Sequence, residues 1–188
     1  MNTPDTDLEQ VEAANTAFYE AMEEGDFDAV SDLWLNIGDL PEGYGASGHG
    51  LSGTSDVSDM SDEDDASGPS GDEPAISCVH PGWPVLTGRG EVLRSYALIM
   101  ANTEYIQFFL TDVQVSVFDG TALVTCTENI LSGGPAPEGG EELGPLVGQL
   151  VVATNVFRRT PGGWKLWSHH ASPVLAETSD DETDDTPS

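Results

Sequence analysis

Apolar side chains recur at helical spacing in three stretches of this chain and alternate along four longer ones. Leu8, Val11, Phe18 and Met22 fall on one helical face, with Ala14 and Asn15 between them. Thr6-Asp7-Leu8-Glu9 reads as a capping box at the start of this helix, and Gly25 as the residue just past its end. Asp26 is placed to cap a second helix carrying Phe27, Val30, Leu33 and Trp34. A third amphipathic helix carries Val92, Leu93, Tyr96, Ile99 and Met100.

The other patterned stretches read as strands. Ile76-Ser77-Cys78-Val79 is a short one, followed by a turn at Pro81-Gly82-Trp83-Pro84. Tyr105 to Phe118 runs into Asp119-Gly120, a strong two-residue hairpin signal, and the chain returns over Thr121 to Leu131. A loop rich in Gly, Pro and Glu spans Ser132 to Pro145. Val147 to Arg159 and Trp164 to Ser172 then form a second hairpin around Thr160-Pro161-Gly162-Gly163. Helices first and an antiparallel meander afterwards predict an α+β fold, with a curved sheet wrapped around the helices into a cone.

Counting back from each turn predicts which residues share a sheet face. Val117 should oppose Ala122, Val115 Val124 and Val113 Cys126, with Glu128 and Ile130 continuing that face. In the second hairpin Phe157 should oppose Leu166, Asn155 Ser168, and Ala153 His170. Leu150, Val152, Val156 and Trp167 alternate with these and should point away from the helices. That apolar outer face predicts a homodimer.

Between residues 38 and 74 the pattern vanishes into Gly, Ser, Asp and Glu, and apolar groups are too few to offset the entropy of ordering. We expect one domain over 6–175, a disordered acidic insert at 38–74 and a disordered acidic tail at 176–188. Thirty-four acidic groups face 5 basic ones, a formal net charge of -29, and Lys165 is the only lysine. With no basic patch to release counterions, nucleic acid and anionic membrane are not expected partners. Acidic residues also crowd the first helical region, which suits a high-salt cytosol where salt screens self-repulsion. The first eight residues lack the features of a signal peptide, so a cytoplasmic location is expected. Cys78 and Cys126 are too few for a disulfide scaffold. They are expected reduced, as small buried hydrophobes, with a bridge between them the alternative.

Two segments carry a family resemblance, CVHPGWPVLTGRGEVLRSY and TNVFRRTPGGWKLWSHHASP. With the element order, they resemble the nuclear transport factor-like superfamily. That superfamily includes SnoaL-like cyclases, ketosteroid isomerases and the calcium/calmodulin-dependent kinase association domain. A His-x-His-x-Ser pattern common in the closing hairpin appears here with Ser168 in place of the first histidine, followed by His170 and Ser172. Against the isomerases, the catalytic tyrosine position falls on Phe18, with Tyr19 one place off. The general-base aspartate falls on His80, before Pro81, and the second oxyanion donor on Asn155. The resemblance therefore implies the cone and its pocket, and steroid isomerisation is not expected.

The resemblance also turns the two face sets toward the cavity. Glu128, Asn155, Ser168 and His170 then stand on a largely apolar wall, joined by Cys78 and His80 from the short strand, with Cys126, Phe18, Trp34 and Trp83 completing the expected ligand-binding set. His80 and Glu128 are the candidate catalytic groups. An imidazole suits proton transfer near neutral pH, and a buried carboxyl has a raised pKa. Cys78, His80, His170 and Glu128 are the side chains a zinc ion would need, but no tight ligand pair supports one, so neither metal nor cofactor is expected. The first functional reading is a non-catalytic binding or oligomerisation module for a small apolar or carbonyl-bearing molecule. The alternative is a proton-transfer enzyme, an isomerase, cyclase or dehydratase, with His80 as base.

Overall fold

The computed structural model describes residues 4–40, 76–135 and 144–175. Helix α1 (Pro4–Glu24) begins two residues before the expected capping box, so Thr6 lies in its first turn. A proline's fixed φ suits the first helical position. Gly25, at φ +67, ends the helix in a left-handed cap, with Asp26 N–H donating to the Ala21 carbonyl at 2.9 Å and Gly25 N–H to that of Met22. Asp26 then caps α2 (Phe27–Leu33), its carboxylate accepting from Ala29 N–H at 2.9 Å. A 3₁₀ turn over Ile37–Asp39 follows, and Leu40 packs against the core, so the first residues of the expected insert belong to the domain. The rest of the insert and the whole tail lie outside the described residues.

Strands β1 (Ser77–Val79) and β2 (Leu86–Thr87) precede α3 (Arg89–Asn102). Four long strands complete the chain: β3 (Tyr105–Phe118), β4 (Thr121–Gly133), β5 (Leu146–Thr160) and β6 (Gly163–Pro173). All six form one curved, unclosed sheet in the order β2-β1-β6-β5-β4-β3. The long strands meander antiparallel as expected, whereas β1 adds to β6 in parallel. The β3–β4 turn places Asp119 and Gly120 both at positive φ, the conformation a tight two-residue hairpin requires.

The inner face of the sheet holds the core. Ala122, Val124, Cys126 and Glu128 of β4 alternate inward beside Phe157, Asn155, Ala153 and Val151 of β5, and the three helices close over them. Trp34, Tyr96, Phe157 and Leu166 are among its largest fully buried side chains. Arg89, at the start of α3, ties the helices together. Its guanidinium donates to the carbonyls of Ser31 and Trp34, both at 2.7 Å, and to the Ser31 hydroxyl at 2.9 Å.

Two bulges change the predicted register. Val117–Ala122 and Val115–Val124 pair as expected, but an extra residue in β3 between Thr111 and Gln114 leaves Val113 out of register with Cys126. Asp112 takes the positive φ that this bulge needs. In β6, Phe157 pairs with Leu166 as expected. Val156 then pairs with Ser168, so Trp167 is the extra residue. Beyond it Asn155 opposes His169 rather than Ser168, and Ala153 opposes Ala171 rather than His170.

Candidate active site

A cavity of about 230 Å³ opens between α1, α3 and the inner face of the sheet. Its wall is mostly apolar: Phe18 and Met22 from α1, Ile99 from α3, Ile106 and Phe108 from β3, and Ile130 from β4. Five groups able to exchange or hold a proton stand on it, namely Tyr19, His80, Tyr96, Glu128 and His169. Among the described residues no lysine or arginine lines the cavity.

Glu128 is 2% exposed. Tyr19, one turn before the end of α1, donates its hydroxyl to Glu128 Oε1 at 2.6 Å. Burial pushes the Glu128 carboxyl up to about 7, against a smaller downward pull from that hydrogen bond. Burial and the facing carboxylate drive the Tyr19 hydroxyl far above its ordinary range, so it stays protonated as a donor. Asn155 donates from Nδ2 to the Tyr19 hydroxyl at 3.1 Å and to Asn15 Oδ1 at 2.8 Å, while its own Oδ1 meets His169 Nδ1 at 2.6 Å. A buried polar chain thus runs from His169 through Asn155 and Tyr19 to Glu128.

His80 sits across the cavity, its ring centroid 6.5 Å from that of His169. It is buried edge-on between Trp83 and Tyr96, not at an exposed rim. The Ser95 hydroxyl donates to the Val92 carbonyl at 2.7 Å and therefore accepts from His80 Nε2, also at 2.7 Å. That leaves His80 Nδ1 with its lone pair. Burial lowers His80 to about 4. Burial first, then the His80 and His170 imidazoles, lowers His169 to about 3. Both rings are neutral at pH 7.

Of the expected set, Phe18, His80, Trp83 and Glu128 line the cavity. Trp34, Cys78, Cys126 and Asn155 are buried in the surrounding wall and are not among the lining residues. Cys78 packs against His80 and the Tyr96 hydroxyl. Both cysteines are free thiols, and burial raises Cys78 to about 11. Ser168 and His170 face away from the cavity: Ser168 Oγ pairs with Ser77 Oγ at 2.8 Å, and His170 is exposed. The four side chains considered for zinc therefore do not converge. The Trp167 bulge is the cause, and it brings His169 inward instead. From the sequence, Tyr19 stood one place off the isomerases' tyrosine position and was not counted in the site, and neither were Asn15, Ser95 and His169. Asn15 and Tyr19 sit one turn apart on the helical face that carries Met22, and that spacing was the available signal.

The SnoaL-like domain family matches residues 66–177 of the chain. The chain belongs to the SnoaL-like domain family. Among solved structures, it is 67% identical to a protein of the nuclear transport factor 2-like family from Streptomyces avermitilis, named as a suggested dehydratase. That match covers 93% of this chain and 100% of that one, with a TM-score of 0.71. A ketosteroid isomerase-like protein from Erwinia carotovora atroseptica is 15% identical over 92% of this chain and 99% of its own, at a TM-score of 0.59. A suggested scytalone dehydratase from Novosphingobium aromaticivorans is 8% identical over 89% and 83%, at 0.60. These last two share the fold. No protein of curated function matches the chain. Among the described residues, no helix of this SnoaL-like domain is long and apolar enough to cross a membrane.

Proposed function

We propose that this SnoaL-like domain is a proton-transfer enzyme that dehydrates a small, neutral, largely apolar β-hydroxy carbonyl compound, with Glu128 as the group that moves the proton. The observation that carries this reading is Glu128 itself: a carboxyl buried in the cavity wall, held by Tyr19 and with no lysine or arginine among the described residues of the wall to balance it. Such a group costs stability, and its pKa near 7 suits it to take and return a proton at neutral pH. His80, held neutral near 4, is a weaker base and serves better as a hydrogen-bond acceptor for a substrate hydroxyl. In the proposed step ionised Glu128 takes the proton α to the carbonyl, and the electron pair of the broken C–H bond is held as an enolate. That pair then forms the Cα=Cβ double bond as the Cβ–O bond breaks, and the β-hydroxyl leaves as water with the proton from Glu128, which returns the carboxylate. The name of the Streptomyces avermitilis relative supports elimination over isomerisation.

The test is turnover of a neutral cyclic β-hydroxy ketone, followed by the ultraviolet absorbance of the enone and by deuterium uptake at the α-carbon. Glu128→Gln should lower the rate by about 10²-fold or more with the circular dichroism unchanged. Equal rates in the two proteins would remove Glu128 from the mechanism. Binding of the ketone without turnover would leave the non-catalytic binding module as the reading.

We also propose that the domain pairs as a homodimer through the outer face of its sheet. Leu150 and Val152 are exposed there on β5; exposed Phe109 of β3 lies in the same cross-strand row as Leu150, through Asn129, and exposed Leu123 of β4 stands further along the same face, opposite Val156. Exposed apolar rows of this kind support burial against a second copy. Trp167 contributes less than its place in the alternation suggested, because at the bulge it packs partly against the core.

A further inference from the structure

We propose that Asn15 is a positioning residue of this site: by accepting a hydrogen bond from the Asn155 amide, it fixes the proton of His169 on Nδ1 and presents the bare Nε2 to the cavity. The inference rests on the site proposed above, though not on the reaction assigned to it. It follows from counting donors and acceptors along the buried chain. The Tyr19 hydroxyl has one proton, which goes to Glu128 Oε1 at 2.6 Å, so toward Asn155 it can only accept. The two protons of Asn155 Nδ2 are taken by Tyr19 Oη at 3.1 Å and Asn15 Oδ1 at 2.8 Å. Asn155 Oδ1 is left facing His169 Nδ1 at 2.6 Å, and an amide oxygen only accepts. The ring proton therefore sits on Nδ1. A neutral imidazole carries one N–H, so Nε2 is a lone-pair acceptor on a residue of the cavity wall.

Tyr19 alone cannot hold this orientation, because a hydroxyl both donates and accepts. If it turned its proton toward Asn155, the amide could flip, donate to His169 Nδ1 and move the ring proton to Nε2. Asn15 prevents the flip. It is 2% exposed and comes from α1, one turn from Tyr19, and its Oδ1 lies 2.8 Å from Asn155 Nδ2, a second acceptor that a flipped amide would lose. His80 is set the opposite way by Ser95, with the proton on Nε2 and the lone pair on Nδ1. The lone pair of His80 Nδ1 faces the buried Cys78 thiol at 3.9 Å, so the bare Nε2 of His169 is the acceptor this network supplies, suited to a ligand that donates a hydrogen bond.

The experiment is nitrogen–proton correlation NMR of the full chain carrying isotope-labelled histidine, with signals assigned by a His169→Gln variant. The wild type should show His169 in one tautomer, protonated at Nδ1. Asn15→Leu should populate both tautomers, and Asn15→Asp, which restores an acceptor, should return the ring to one. A wild-type proton on Nε2, a single unchanged tautomer in Asn15→Leu, or a mixture in Asn15→Asp would each overturn the proposal. If Asn15→Leu does not fold, the wild-type spectrum and Asn15→Asp still decide. None of these readings depends on turnover, so failure of the dehydration assay and failure of this inference are distinguishable.

Discussion

Glu128 and the two inward histidines couple the stability of the domain to pH in opposite directions. Folding raises the Glu128 pKa from 4.5 to about 7, so over that window the folded chain holds a proton that the unfolded chain has lost. Stability from this group is full below pH 4.5 and lost as pH rises through 7, by on the order of 3 kcal/mol. His80 and His169 have folded pKa values below 6.5, so their contribution is full above 6.5 and lost as pH falls toward about 4 and about 3. Glu128→Gln removes the first effect alone. Its melting temperature relative to wild type should therefore climb between pH 4.5 and 7 and level off above, as read by calorimetry at matched pH. A difference that is flat across that window would show that Glu128 ionises normally in the fold. Tyr19→Phe removes the one hydrogen bond that lowers the Glu128 pKa and leaves Asn155 short of an acceptor. It should raise that pKa further, read by carboxyl-carbon NMR titration, and cost roughly 1–3 kcal/mol of stability.

At the scale of elements, the cavity depends on how α2 and α3 are held against the sheet. Arg89 spans them, placing a forked guanidinium on the carbonyls at the C-terminal end of α2, where positive charge is favoured. Arg89→Ala should destabilise by roughly 2–3 kcal/mol in denaturant titration, the scale of charged hydrogen bonds. Arg89→Lys should recover less than half of that, since an ammonium cannot reproduce the fork. Full recovery by lysine would reduce the role of Arg89 to charge alone. The strands show how one residue redirects a site. The two-residue period of β6 placed Ser168 and His170 inward. The extra residue at Trp167 resets the alternation, so His169 and Ala171 are the buried pair.

For the whole molecule, the charge of -29 and the apolar outer face set the predictions. Self-repulsion at that charge should be relieved as the screening length falls from about 10 Å at 0.1 M salt to about 3 Å at 1 M. The melting temperature is accordingly expected to rise steadily from low salt into the molar range. A value independent of potassium chloride would count against a high-salt origin. Light scattering in high salt should give the mass of a dimer. Val152→Glu, which places a charge among the exposed apolar rows of β5, should give a folded monomer. A dimeric Val152→Glu variant would move the interface elsewhere.

The sequence by itself determined the three helices, both long hairpins and which residues of β4 and β5 share a face, because these follow from local periodicity and turn chemistry read over neighbouring residues; the family resemblance turned those faces inward, toward the cavity of the cone. The alternation along β4 also put Glu128 on the face it shares with Cys126, whereas His80 came from the family resemblance of its place before Pro81. Tertiary structure decided what those groups meet. The Tyr19–Glu128 bond joins residues 109 apart in the chain and the Asn15–Asn155 bond residues 140 apart, and no local pattern encodes such contacts. The facing of His169 depends on a bulge formed only when β5 and β6 pair. The pKa of Glu128 depends on burial beneath helices packed from the other end of the chain. Helix and strand are set by short-range spacing, whereas hydrogen-bond direction and proton affinity are properties of the packed interior.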